Sequence, residues 1–133
     1  MQTRTASCSC GQLRLTCTGE PVRISLCHCL ECQKRTGSTF AVQARFAREN
    51  VIVEGRGTQW SRTGDSGTTA TFHACPVCSA TVYWDMDAMP DFVAVAVGAF
   101  ADPDFPPPKV SVYEGRQHPW TRAIADQGLE HLT

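Results

Sequence analysis

The sequence has no long hydrophobic run and no excess of either charge. None of its apolar stretches approaches the ~18 residues that a helix needs to span a bilayer, which argues against a membrane protein. Its 12 basic and 13 acidic residues give a formal net charge of −1. Because nucleic-acid-binding domains typically carry a basic patch or a basic overall charge, this balance argues against a nucleic-acid partner.

The first residues lack the apolar segment of a secretory signal, which predicts a cytoplasmic protein in a reducing environment. The chain has eight cysteines in 133 residues. That share is below the ~8–10% of disulfide scaffolds, and cytoplasmic thiols are kept reduced, so we interpret the cysteines as metal ligands. The length predicts a single domain over residues 1–133. Together with the cysteines, this predicts a single zinc-binding domain.

Amphipathic helices are also scarce, and short segments of alternating apolar and polar residues dominate. Residues 12–18 and 22–26 alternate in this way, and the turn Gly19-Glu20-Pro21 between them predicts a hairpin that leads into Cys27. A helical turn is predicted over residues 31–36, ended by Gly37, and a weakly helical segment after Trp120. Seven further strands are predicted at residues 40–46, 51–53, 58–62, 68–73, 81–84, 92–98 and 110–113. About nine short strands predict an all-β fold of packed sheets, with residues 92–98 as a central strand because they are apolar on both faces.

Three short motifs contain seven of the eight cysteines. Three cysteines at i, i+2 and i+5 can surround one ion and leave a fourth position open, as in sites that bind an exchangeable partner. Four protein ligands usually form a closed, structural zinc site. The motifs are a CxC at Cys8 and Cys10, a CxCxxC at Cys27, Cys29 and Cys32, and a CxxC at Cys75 and Cys78.

Spacing alone allows two groupings of these cysteines. The first joins the CxC and the CxxC in a closed four-cysteine site and leaves the CxCxxC as the open site. The second joins Cys29 and Cys32 to the CxxC and leaves Cys8, Cys10 and Cys27. We favour the first grouping because it keeps every motif intact. The eighth, Cys17, alternates with apolar neighbours and is interpreted as a small buried hydrophobe.

These residues resemble the family of glutathione-dependent formaldehyde-activating enzymes, whose domain also occurs in centromere protein V. The landmarks that carry the resemblance follow one another in order and cover nearly the whole chain. They are CSCG at residues 8–11, CHCLECQKRTGSTF at 27–40, CPVC at 75–78, VGAF at 97–100 followed by Asp102-Pro103, and HPW at 118–120.

The resemblance implies an all-β, Mss4-like β-tent of packed short antiparallel sheets pinned by two zinc ions. The structural zinc site would be formed by Cys8, Cys10, Cys75 and Cys78, and the open, catalytic zinc site by Cys27, Cys29 and Cys32. The implied activity is that of a carbon–sulfur lyase, the reversible joining of formaldehyde to glutathione as S-(hydroxymethyl)glutathione.

A thiol bound at the open site adds negative charge to three thiolates, so cations and hydrogen-bond donors are needed nearby. The nearest in sequence, which we predict to bind substrate, are Lys34, Arg35, Thr36, Gly37 and Ser38. The expected partners are glutathione and an aldehyde.

The alternative function is a non-catalytic zinc- and thiol-binding module, such as a glutathione carrier. It is supported by the lack of acid–base candidates beside the motif other than Glu31 and His28. A zinc domain that binds nucleic acid or protein is the third possibility, and the near-neutral charge disfavours it.

Two positions depart from the family pattern. Ser79 follows the CxxC where the family usually has glycine, so the left-handed turn often found there must be formed by a residue with a side chain or be reshaped. A histidine common after the proline-rich segment is absent, and its place falls near Lys109 or Val110.

Overall fold

The computed structural model describes residues 1–122 and 128–132. This part of the chain contains eleven strands, one α-helix and four 3₁₀ turns. The helix α1 covers Leu30–Thr36. In chain order the strands are β1 (Thr3–Ser7), β2 (Arg14–Thr18), β3 (Arg23–Cys27), β4 (Ala41–Ala47), β5 (Val51–Glu54), β6 (Thr58–Thr63), β7 (Thr69–Ala74), β8 (Thr81–Met86), β9 (Phe92–Ala96), β10 (Val110–Val112) and β11 (Glu130–His131).

The strands form two sheets. The smaller has the order β1-β2-β5, and the larger has the order β11-β10-β3-β4-β9-β8-β7-β6. All pairs are antiparallel except those that β10 forms with β3 and with β11. The prediction of an all-β fold of packed sheets is confirmed, and β9 lies inside the larger sheet as its apolar sequence predicts.

The main core lies between the two sheets. The smaller sheet contributes Leu15 and Cys17, and the larger contributes Phe46, Val93 and Val95. Each of these side chains is at most 2% exposed. Cys17 is thus the buried hydrophobe that its position in an alternating strand predicts.

The opposite face of the larger sheet has a second apolar cluster formed by Ala70, Phe72 and Trp84. Helix α1 lies over it, since the guanidinium carbon of Arg35 is 4.3 Å from the centre of the Trp84 ring. The helix that carries Cys32, the last cysteine of the CxCxxC motif, therefore lies on this side of the sheet.

Some local predictions are wrong. Residues 12–18 and 22–26 do not form a hairpin, because β2 pairs with β1 and β5 whereas β3 pairs with β4 and β10. Strand β1 was not predicted. Strand β9 ends at Ala96, and Val97–Phe100 form a 3₁₀ turn.

The helical turn that ends at Gly37 is confirmed by α1. The weakly helical end predicted after Trp120 falls partly on residues 123–127 and 133, which lie outside the described residues, and Glu130–His131 form a strand. Within the described ranges, the structure has no helix that is long and apolar enough to cross a membrane.

Candidate metal centres and the adjoining cavity

The structure groups the cysteines as in the first of the two alternatives. The Sγ atoms of Cys8, Cys10, Cys75 and Cys78, here called the closed cluster, all lie within 4.8 Å of one another. Cys10 Sγ is 3.7 Å from both Cys8 Sγ and Cys75 Sγ. Sulfurs bound tetrahedrally at ~2.3 Å from a zinc ion would be about 3.8 Å apart, so the closed cluster fits zinc.

Hydrogen-bond donors surround the sulfurs of the closed cluster. The backbone N–H of Leu13 donates to Cys8 Sγ at 3.3 Å, and that of Val77 donates to Cys75 Sγ at 3.3 Å. Gln12 Nε2 donates to Cys75 Sγ at 3.0 Å. Burial acts to raise the pKa of Cys75, but the donors from Cys78, Gln12 and Val77 outweigh it and lower that pKa to about 6. The surroundings of Cys75 thus favour its thiolate, the form that binds metal.

The turn after the CxxC is left-handed and is formed by a residue with a side chain, the first of the two expected outcomes. Ser79 has a φ of 70°. Its N–H donates to Cys75 O at 2.9 Å, and the N–H of Cys75 donates to Ala80 O at 2.9 Å. A residue with a side chain therefore forms the tight turn that glycine would form with less strain.

The second group, here called the open cluster, consists of Cys27, Cys29 and Cys32, whose Sγ atoms also lie within 4.8 Å of one another. Cys27 ends β3, Cys29 caps helix α1, and Cys32 lies in its first turn. The N–H of Cys32 donates to Cys29 Sγ at 3.3 Å. No fourth His, Cys, Asp or Glu of the described chain joins these three sulfurs. The set fits a zinc ion with one free coordination position.

The charge distribution of the open cluster is uneven. Hydrogen bonds from Cys27 and Cys32 hold the pKa of the Cys29 thiol well below its usual value, and the charge of Arg62 acts in the same direction. Arg62 lies on β6, with its guanidinium carbon 6.0 Å from the centre of the Phe72 ring. Sequence reasoning missed this residue, because only the pairing of β6 with β7 brings it to the side of the sheet that α1 covers.

The segment around the open cluster is fastened to the C-terminal part of the chain. Gln33 Nε2 donates to His28 O at 2.9 Å and to Arg116 O at 3.1 Å, and Gln33 Oε1 lies 2.9 Å from His118 Nε2. The fully buried His28 ring has its Nε2 3.1 Å from Ser111 Oγ. These contacts fix the orientation of α1 relative to β3 and β10.

The five residues predicted to bind substrate have different surroundings. Lys34 Nζ lies 3.5 Å from Glu31 Oε1 on a side chain that is 76% exposed. Thr36 Oγ1 donates to Cys32 O at 2.8 Å and accepts from the N–H of Ser38 at 3.1 Å. Gly37 is the left-handed residue that ends α1.

Arg35 stacks on two aromatic rings, with its guanidinium carbon 4.3 Å from the ring centre of Trp84 and 4.9 Å from that of Phe72. Its Nε and Nη2 are buried and have no hydrogen-bond partner among the residues that the structure describes.

A cavity of about 650 Å³ lies beside the closed cluster and helix α1, and none of the three open-cluster cysteines lines it. Cys8 of the closed cluster forms part of its wall, and Arg35 and Thr36 of α1 form another part. Lys34, Gly37 and Ser38 are not among its lining residues. The cavity was not predicted from the sequence, because its walls come from segments that are distant along the chain.

The two acid–base candidates named from the sequence are not free beside the open cluster. Glu31 lies beside Lys34 at the surface. The His28 ring is buried against Phe40, with ring centres 6.4 Å apart, and burial lowers the pKa of the imidazole although Glu114 opposes this.

Comparison with known proteins gives two findings. The model of the family described as glutathione-dependent formaldehyde-activating enzyme matches residues 3–116. Among solved structures, the chain is similar to the crystal structure of a Rhodobacter sphaeroides protein from structural genomics, with 18% sequence identity and a TM-score of 0.58. The similarity covers 97% of this chain and 99% of the other. At this identity the likeness shows the fold alone.

Proposed function

The chain belongs to the family of glutathione-dependent formaldehyde-activating enzymes, and from this premise we propose that it is a zinc-dependent carbon–sulfur lyase for glutathione–aldehyde adducts. The reaction would join glutathione and formaldehyde reversibly to give S-(hydroxymethyl)glutathione. The observation that carries the proposal is the open cluster, in which three sulfurs converge and leave one tetrahedral position for a ligand.

The closed cluster would hold a structural zinc ion and the open cluster a second one, bound by Cys27, Cys29 and Cys32. A zinc ion at the open cluster would supply a Lewis acid that lowers the pKa of a thiol and polarises an aldehyde oxygen. The role of the protein would be to hold three sulfurs in place and to leave the fourth coordination position accessible. The contacts of Gln33 with His28, Arg116 and His118 support this arrangement, because they fix the helix that carries Cys32.

Two arginines support an anionic ligand at the open cluster. Three thiolates with a divalent ion have a net charge of −1, and a substrate thiolate makes it −2. Arg35 and Arg62 both lie at the ring of Phe72, and neither pairs with a carboxylate of the described chain. Their positive charges would offset that of the incoming thiolate.

A non-catalytic glutathione carrier is the second candidate, and the surroundings of the acid–base residues favour it. Glu31 is engaged with Lys34, and the His28 ring is buried and bonded to Ser111. A protein that only binds the thiol needs no group to move a proton, whereas the lyase would have to use water or the substrate itself for this step.

The test measures exchange between free glutathione and its formaldehyde adduct by two-dimensional NMR exchange spectroscopy, with and without the zinc-loaded protein. The lyase should accelerate exchange above the uncatalysed rate, and Cys29→Ala should abolish the acceleration while the protein stays folded. Glutathione binding without acceleration would support the carrier instead. Absence of both binding and acceleration would contradict both functions.

A further inference from the structure

We propose that the cavity beside helix α1, lined by Cys8 of the closed cluster and by Arg35, binds a carboxylate of the peptide thiol, with Arg35 as the cation that recognises it. This inference rests on the proposed function, because it assigns a second contact to the substrate whose sulfur would bind at the open cluster. It identifies the substrate class as thiols that bear a carboxylate a short distance from the sulfur.

Arg35 is prepared for an anionic ligand. Its guanidinium is held over Trp84 and Phe72, which fixes its plane and leaves its edge for hydrogen bonds. Nε and Nη2 are buried and have no partner in the described chain. Buried donors without partners are costly, and a carboxylate that accepts from two guanidinium nitrogens at once would satisfy them.

The rest of the cavity wall suits the same ligand. Its hydroxyl groups belong to Ser7, Ser9, Thr36, Ser79 and Thr81, and those of Ser7, Ser9, Ser79 and Thr81 form no hydrogen bond with a described residue. No acidic residue of the described chain lines the cavity. The wall therefore offers donors for an anion and no negative charge to repel it.

The open cluster and Arg35 are linked through helix α1. Cys32 and Arg35 are three positions apart on it, and such residues lie on the same side of a helix, with an axial rise of about 4.5 Å between their Cα atoms. A carboxylate one residue beyond a cysteine is up to about 7 Å away along an extended chain. A peptide thiol bound at the open cluster would extend along this side of α1, and its carboxylate would meet the guanidinium of Arg35 there.

Glutathione has two carboxylates, one on glycine and one on the γ-glutamyl residue. Both offer the chemistry that Arg35 would recognise. The glutamyl carboxylate lies beside an ammonium group, for which the described cavity wall has no acidic partner.

The experiment measures binding of S-methylglutathione to the zinc-loaded protein by calorimetry. The methyl group blocks the thiol, so that binding reports on contacts other than the sulfur. The other ligands are the glycyl ethyl ester, which removes the glycine charge, and S-methylcysteinylglycine, which lacks the glutamyl residue. The variants are Arg35→Met, which keeps an apolar stem over the rings, and Arg35→Lys, which keeps the charge but not the bidentate edge. Arg14→Met is the control, because Arg14 is an exposed arginine of the smaller sheet.

We expect Arg35→Met to weaken binding about 10- to 100-fold and Arg35→Lys to weaken it less. Esterification of the glycine carboxylate should weaken binding to the wild type by a similar factor and leave binding to Arg35→Met almost unchanged, since the two changes remove the same contact. Arg14→Met should bind as the wild type does. If removal of the glutamyl residue, rather than esterification, gives this pattern, the cavity holds the glutamyl carboxylate and the inference stands with that source.

Binding that is indifferent to both carboxylates and to Arg35, or no binding of S-methylglutathione at all, would overturn the inference. Neither result decides the proposed function, which depends on the exchange measurement with free glutathione. Carboxylate binding through Arg35 without accelerated exchange would leave the cavity assigned and the lyase contradicted.

Discussion

The two cysteine clusters use the same ligand atom in opposite settings. The closed cluster joins sulfurs that are 65 positions apart in the sequence, and Cys8 and Cys75 are part of the main core. The open cluster takes all its sulfurs from one segment that ends in helix α1, and it packs in a small separate group with Ala41. We therefore expect a cysteine cluster that closes a long loop within the core to serve stability, and one that lies on a local segment with a vacant coordination position to be available for a ligand.

The largest expected effect is the difference in folding between a variant of the closed cluster and a variant of the open cluster. Cys75→Ala should leave the protein unfolded, because a structural zinc contributes ~10–16 kcal/mol in small peptides, which is comparable to the whole stability of a domain. Cys29→Ala should lose one metal ion and remain folded. Metal content per chain and circular dichroism of both variants provide the measurement. A folded Cys75→Ala variant, or an unfolded Cys29→Ala variant, would contradict the division of roles.

The second prediction compares the glutamine that supports each cluster. Gln12 donates to Cys75 Sγ and to Arg56 O. Gln33 donates to no sulfur and instead fastens α1 to the neighbouring His28 and to Arg116 and His118 of the C-terminal part. Gln12→Ala should weaken retention of the closed-cluster metal by about 10- to 100-fold against a chelator, the usual effect of losing a group that orients a ligand.

Gln33→Ala should leave that retention unchanged and instead weaken glutathione binding, because α1 is no longer held in place. Chelator competition and glutathione titration on both variants give the two readouts. Equal losses of metal in the two variants would show that the clusters are not supported independently.

The third prediction concerns charge at the open cluster. Arg62→Met should weaken glutathione binding by a few-fold, because one partly exposed charge contributes roughly 0.5–1 kcal/mol near a protein surface. The loss should be smaller in high salt, since screening already reduces the contribution of Arg62 in the wild type. Titrations at two salt concentrations, with Arg14→Met as the control, test this. A salt-independent loss would indicate a packing defect instead.

The smallest expected effect is on the free energy of unfolding when the residues at two left-handed turns are exchanged. Ser79, after the closed cluster, has a φ of 70°, and Gly37, after the open cluster, has a φ of 69°. Ser79→Gly should raise the free energy of unfolding by about 0.5–1 kcal/mol, because glycine adopts this conformation without strain. Gly37→Ser should lower it by a similar amount, and solely through the backbone, since a Cβ there would meet no atom within 4 Å. Thermal melts that move in the same direction for both variants would contradict this explanation.

Spacing alone left two groupings of the cysteines open, and the observed one could be predicted because it keeps each local motif intact. Most strands could also be predicted, since the alternation over 40–46 reflects which side chains face the core, where Ala44 and Phe46 are fully buried. Strand β1 escaped prediction because Ala6 is its single buried residue, which leaves almost no apolar pattern.

Partners in the sheets could not be predicted in the same way. The turn at Gly19 and Pro21 suggested a hairpin, but successive strands pair only as a tendency, and here β2 and β3 belong to different sheets. Arg62 was missed for the same reason, because its position near Cys29 depends on where the β6–β7 hairpin lies within the larger sheet. A ligand motif can be recognised from residues that are adjacent in the sequence. The residues that line a cavity depend on long-range strand pairing, which the sequence does not show directly.

The parallel pairing of β10 with β3 has a consequence for the order in which the protein forms. During synthesis the three sulfurs of the open cluster leave the ribosome together, well before Cys75 can join Cys8 and Cys10. Ser111, which contacts His28 across 83 positions, is made later still. A nascent chain thus displays the three cysteines of the open cluster long before it has a core, and this segment is secured only when the final strands arrive. The site proposed to handle the substrate acquires its ligands first and its supporting contacts last.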